Sequence, residues 1–105
     1  MSTTTTADSA EQVIAILQAH EAELRAAGID RLSLFGSVAR GDAGTDSDVD
    51  LAAVFDPQAR MDLFRLVALE RHIAELLGRR VDLLPEPVEK PGLRASIERD
   101  RRRAF

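Results

Sequence analysis

The chain has 105 residues, 45% hydrophobic and 30% charged, with a net charge of -4 and no cysteine. That size suits one domain and is too small for two ordinary lobes, while the composition excludes disordered and fibrous classes, disulfides, zinc–thiolate sites and thiol nucleophiles. The acidic balance, with four Phe as the only aromatics, argues against direct nucleic-acid binding by coating or base stacking.

Residues 1–8 lack the basic and apolar regions of a signal peptide, and no apolar run approaches membrane-spanning length. A disordered lead-in and a cytoplasmic protein without membrane contact are expected, with one domain over residues 9–105. Ser9 and Gln12 have capping-box spacing, and Val13, Ile16, Leu17, His20 and Leu24 recur at helical spacing. One helix is predicted, ended by Gly28, with His20 in a structural role. Ile29–Phe35 reads as a strand, Leu32 and Leu34 on one face, Ser33 and Phe35 on the other, running into a Gly36-Ser37 turn.

A loop rich in turn formers, Gly41 to Ser47, leads to a second strand over Asp48–Phe55. Val49, Leu51, Ala53 and Phe55 make one apolar face. The other starts with Asp48 and Asp50 and continues with Ala52 and Val54, so both faces are expected to be covered beyond the carboxylates. Two carboxylates at i and i+2 repel each other unless a cation or guanidinium lies between them. Asp42 and Asp46 read as ordinary turn residues.

Asp56-Pro57 marks a turn or helix start. A helix is predicted from about Arg60 to Leu77, its stripe made by Leu63, Leu66, Val67, Ile73, Ala74 and Leu77 and widened by Met61, Phe64, Ala68 and Leu76. Gly78 stops it, and His72 reads as solvated or helix-capping. Arg79–Leu84 is a third strand with Asp82 on the face opposite Val81 and Leu83. That Asp either faces water at an edge or, if the strand lies beside the second, joins Asp48 and Asp50 in a three-carboxylate cluster. Pro85, Pro87 and Pro91 precede a final helical stretch on which Leu93, Ile97 and Ala104 share a face, with Phe105 beside them. Arg94, Arg99, Arg101, Arg102 and Arg103 crowd this segment. A solvated face is favoured there over a docking surface for an acidic partner or nucleic acid.

Gly36-Ser37-Val38-Ala39-Arg40-Gly41, then Ser47-Asp48-Val49-Asp50-Leu51, then Val81-Asp82-Leu83-Leu84, resembles the minimal nucleotidyltransferases of the DNA polymerase beta superfamily. The resemblance spans about Leu32 to Leu84 and implies an α+β fold, a small mixed β-sheet with packed helices. It implies that Asp48, Asp50 and Asp82 are catalytic and ligate Mg²⁺, and that Gly36 and Ser37 receive the phosphates of ATP, the donor. Arg40 either pairs with phosphate or forms an ion pair with Asp42 or Asp46. Minimal members of the family commonly act as antitoxins in hetero-oligomers with a HEPN ribonuclease toxin, transferring AMP from ATP to a toxin tyrosine. Neutralisation by occlusion with a vestigial site, and transfer to a small-molecule acceptor, are the alternatives.

Overall fold

The computed structural model describes residues 9–42 and 47–105. The lead-in expected over residues 1–8, and residues 43–46 with Asp46, lie outside them.

Ser9 starts α1 (Ala10–Ala19) with the reciprocal bonds its spacing predicts. Ser9 Oγ accepts from the Gln12 N–H, and Gln12 Oε1 from the Ser9 N–H, each at 3.2 Å. The helix does not run on to Gly28. At His20 the backbone leaves the helical region (φ -108°, ψ 17°), and α2 (Glu21–Ala26) begins anew. A side-chain cluster sits at this break. Glu23 Oε1 lies 2.6 Å from His20 Nδ1 and its Oε2 lies 2.6 Å from His72 Nε2. These hydrogen bonds, that of His20 first, hold the Glu23 carboxyl below the usual carboxylate range. His72 is exposed as expected, but it is committed to Glu23.

Strands β1 (Ile29–Phe35), β2 (Val49–Phe55), β3 (Val81–Pro85) and β4 (Arg102–Arg103) form a mixed sheet in the order β3-β2-β1-β4. β1 runs antiparallel to β2 and β4, and β2 runs parallel to β3. Alternation along the strands sorts the side chains as the sequence predicts. Leu32, Leu34, Val49, Leu51, Ala53 and Leu83 enter the main core with Val13 and Leu17 of α1 and Leu24 of α2. Phe35 and Ala52 face the other way and are covered by Ile97 of α5 (Pro91–Asp100). Each fully buried aliphatic contributes roughly 1.5–3 kcal/mol over an exposed one. Such burial pins the register, because a one-residue slip would turn the apolar set outward.

α4 (Leu63–Leu77) crosses the main-core face, its first turn capped by Asp62, whose Oδ1 accepts from the Arg65 N–H at 2.8 Å. Its buried line keeps Leu66, Ile73 and Leu77 of the predicted stripe, adds Leu69, and leaves out Leu63, Phe64 and Val67. Leu69, Ile73 and Leu77 are buried with Leu66 half-buried, whereas Leu63 and Phe64 are 71% and 85% exposed. The i, i+3, i+7, i+11 row starting at Leu66 sets the phase, and Leu63 and Val67 fall on the flank beside it. Among the described residues no helix is long and apolar enough to cross a membrane.

The C-terminus departs most from expectation. α5 ends at Asp100, Arg101 turns to extended geometry (φ -54°, ψ 125°), and Arg102–Arg103 pair with β1. The exposed edge of β1 supplies the reason, since its backbone groups need partners. The Leu32 N–H donates to Phe105 O at 3.1 Å, and the Ala104 N–H donates to Leu32 O at 2.9 Å. Ala104 and Phe105 thereby enter the main core, with the Arg25 guanidinium 4.9 Å from the Phe105 ring centre. Phe105→Ala is expected to cost about 3 kcal/mol in urea unfolding. A loss well under 1 kcal/mol would show that this strand is not part of the stabilising core.

Candidate active site

Phe35 lies opposite Asp50 in the β1–β2 register, and the chain passes directly from it into α3 (Gly36–Arg40). A short helix therefore follows β1 where a turn is expected. Gly36 sits at φ +77°, a left-handed backbone region that side chains rarely adopt. A Cβ there would overlap Asp50 Oδ2 and come within 3.2 Å of Asp50 Cγ. The glycine is thus required by its backbone and by its neighbour, and the close approach it permits is to the carboxylate of Asp50.

β2 and β3 place Asp50 opposite Asp82 and Val49 opposite Val81. In-register residues point to the same face, and Asp48, just ahead of β2, lies close enough for its charge to act on Asp50. The parallel pairing thus brings Asp50 and Asp82 to one face of the sheet, with Asp48 at its end. Asp50 is half-buried, while Asp48 and Asp82 are exposed. Burial pushes the Asp50 carboxyl above the usual carboxylate range, and the negative charges of Asp82 and then Asp48 add to it; Arg40 acts in the opposite direction. Arg80 Nε lies 3.0 Å from Asp48 Oδ1.

Among the described residues, no three His, Cys, Asp or Glu side chains stand close enough to form a ready-made metal cage. The chemistry of the donor set nevertheless fits a hard divalent cation. It offers carboxylate oxygens alone, and at the half-buried Asp50 burial together with the charges of Asp82 and Asp48 opposes ionisation.

Ser37 is half-buried in the first turn of α3. Arg40, at the end of α3, is committed to carboxylates: its Nε lies 3.1 Å from Asp42 Oδ2 and its Nη1 2.8 Å from Asp100 Oδ2. The Asp42 pair is one of the alternatives expected from the sequence, whereas the one with Asp100, sixty residues on, has no local signal. Three further residues that hold the carboxylate face are missed by sequence reasoning. Glu70 Oε2 of α4 accepts from the Leu83 N–H at 2.9 Å, fixing edge strand β3 immediately after Asp82. Buried Arg79 donates through Nη2 to Ser47 O at 2.5 Å, beside Asp48. Arg80, just ahead of β3, meets Asp48 across the strands, a signal legible only once β3 is known to neighbour β2.

The sequence model of the nucleotidyltransferase domain matches residues 16–104. The chain belongs to this family. The nucleotidyltransferase is 37% identical over 91 residues to the protein adenylyltransferase MntA of Thermococcus cleftensis, an alignment covering 86% of this chain and 90% of the relative. A solved structure provisionally described as a minimal nucleotidyltransferase is 32% identical, with a TM-score of 0.73 and coverage of 96% of this chain and 98% of the other. A complex of a tri-AMPylated Shewanella oneidensis HEPN toxin with an MNT antitoxin matches at a TM-score of 0.63 and 18% identity, over 88% of this chain and 71% of the other. At that identity the likeness is one of fold. The mixed sheet with packed helices is the nucleotidyltransferase fold expected from the motif.

Two substitutions probe the geometry of this nucleotidyltransferase. Gly36→Ala is expected to destabilise by more than ~1 kcal/mol in urea unfolding, and by less in an Asp50→Ala background, where the added methyl no longer meets a carboxylate. Equal costs in both backgrounds would remove the steric coupling. For Asp50 the sign is opposite to that of a paired carboxylate. A folded-state pKa above the unfolded one means that ionisation opposes folding, so its contribution improves as pH falls through the raised value. Asp50→Asn should raise the Tm at pH 7 in chelator-containing buffer, by a margin that shrinks toward pH 4. A Tm lowered at pH 7 would contradict the repulsion.

Proposed function

We propose that this nucleotidyltransferase transfers AMP from ATP to a tyrosine hydroxyl of a partner HEPN ribonuclease toxin and so silences it. The observation that carries the reading is the register Phe35–Asp50–Asp82, which sets the Gly36-Ser37 helix start beside the carboxylates. The adenylyltransferase name of the Thermococcus relative and the AMPylated toxin in the Shewanella complex support the donor and the acceptor.

Asp48, Asp50 and Asp82 would hold the divalent ion, Mg²⁺. Bound there, it supplies charge stabilisation to the triphosphate and the departing pyrophosphate. The chain's own groups perform the remaining tasks. The Gly36-Ser37 turn receives the phosphates, with the Ser37 hydroxyl as a donor to a phosphate oxygen. Asp82, exposed at the edge of the sheet, faces the acceptor side and takes the proton of the attacking phenol. The tyrosine oxygen forms a bond to the α-phosphorus as its bond to the pyrophosphate oxygen breaks in line. Arg40 serves mainly to fasten α3 to α5 through Asp100, with phosphate pairing secondary to that.

Incubation with Mg²⁺, α-labelled ATP and the HEPN partner should label the partner. Asp48→Asn or Asp50→Asn should each reduce labelling ~100-fold or more, the scale on which loss of one charge-stabilising group acts. A second reading, occlusion without chemistry, is favoured by the exposed apolar flank Leu63, Phe64 and Val67 of α4. A partner silenced but unlabelled, and silenced equally by Asp48→Asn, would select it.

A further inference from the structure

Arg80 occupies a position whose chemistry the transfer reaction has not yet used. On the carboxylate face, Asp50 lies opposite Asp82, and one step earlier the Val49 N–H donates to Arg80 O at 2.9 Å as the two strands meet. Asp48 and Arg80 are therefore neighbours across the strands, two residues before Asp50 and Asp82 respectively. The result is a two-by-two array of three carboxylates and one guanidinium. Its cation sits on Asp48, with Arg80 Nε 3.0 Å from Asp48 Oδ1.

Both partners are open to water, the Arg80 side chain 80% and the Asp48 side chain 51% exposed. An exposed pair of this kind is weak, because each charge keeps most of its hydration. A divalent ion has twice the charge and demands carboxylate oxygen directly, so it can take Asp48 from the guanidinium. Asp48, Arg71 and Arg80 together line one groove between α4 and β3. Glu70 lines the same groove, so its two guanidiniums stand beside two carboxylates; a guanidinium released from Asp48 suits a polyphosphate because the planar fork of Arg matches phosphate oxygens.

We propose that Arg80 is a displaceable counter-cation. Without metal it neutralises Asp48; when a divalent ion takes that carboxylate, its guanidinium turns to the triphosphate. The inference rests on the reading of Asp48 and Asp50 as the metal carboxylates. It gives one residue opposite effects on two ligands, which a purely structural ion pair does not.

The test is calorimetric titration of the purified chain with Mn²⁺ alone, then with a non-hydrolysable ATP analogue at saturating Mn²⁺, for wild type, Arg80→Gln and Arg80→Lys. Arg80→Gln should bind Mn²⁺ about 3–10-fold more tightly, because a competing positive charge is gone, and the analogue ~10-fold more weakly, because a charge-assisted phosphate contact is lost. Arg80→Lys should fall between on both. In the transfer assay, Arg80→Gln should raise the KM for ATP with little change in kcat. Unchanged or weaker Mn²⁺ binding by Arg80→Gln, or unchanged analogue binding, overturns the proposal. Asp48→Asn and Asp50→Asn titrated alongside separate the two readings. If they bind Mn²⁺ as wild type does, the carboxylate reading fails; if they lose Mn²⁺ while Arg80→Gln behaves as wild type, the role of Arg80 alone fails.

Discussion

A carboxylate half-buried beside like-charged neighbours where two parallel strands begin is the constraint around which the rest of this structure is arranged. Asp50 is held half-buried between Phe35 and Asp82 by the ladder on both sides, so it cannot swing away from its like-charged neighbours. The fold tolerates this by local means. Gly36 leaves space for the carboxylate, Arg80 neutralises Asp48, and the positive charge of Arg40 works against the raised pKa of Asp50. A cation bound there would offset both the burial of that charge and its like-charged neighbours, which links sheet register to the proposed ligand chemistry.

Holding such an array needs a rigid frame, and much of it comes from residues far away in the chain. Edge strand β3 has no further strand beside it among the described residues, yet Glu70 takes the Leu83 amide and ties the strand to α4. Arg79 fastens the start of β3 to Ser47. On the opposite edge, the arginine-rich C-terminus works as a fastening. Arg101 grips Glu86 at 2.6 and 2.9 Å, holding that carboxyl below its usual range, and donates to buried Ser33 Oγ at 3.0 Å. Arg102 pairs with Glu11, Arg99 with Asp100, and Asp100 in turn with Arg40 of α3. Individually exposed pairs contribute little. Those with the most structural weight are the two-pronged Arg101–Glu86 pair and the nearly enclosed Asp100, because they are least screened by water.

The candidate site and the exposed apolar surface lie in different parts of the molecule. Glycine, serine and carboxylates cluster where β1 ends and β2 and β3 begin. The apolar side chains of Leu63 and Phe64 stand exposed on the first turn of α4, and the groove running along α4 from Val67 reaches Asp48.

Periodicity and turn chemistry alone determined β1, the apolar alternation of β2 and β3, the capping box at Ser9 and the stop at Gly78, because each is encoded by residues within a few positions of one another. The Gly36-Ser37 and Asp48/Asp50 motif was legible for the same reason, since its members lie on adjoining elements. The break at His20 and the extended chain after Asp100 were not, and the α4 stripe was legible only in part, because each answers to a partner distant in sequence: His72 across from Glu23, the unpaired edge of β1, and the sheet beneath α4. Strand order belongs to the same class. Nothing local to Val81–Leu84 says which strand it will join, and only the parallel pairing with β2 set Asp82 beside Asp50 and Arg80 beside Asp48. Sequence thus determined which side chains could carry the chemistry, and tertiary structure decided which of them meet, because a side chain's face follows from local alternation whereas its neighbours follow from long-range burial.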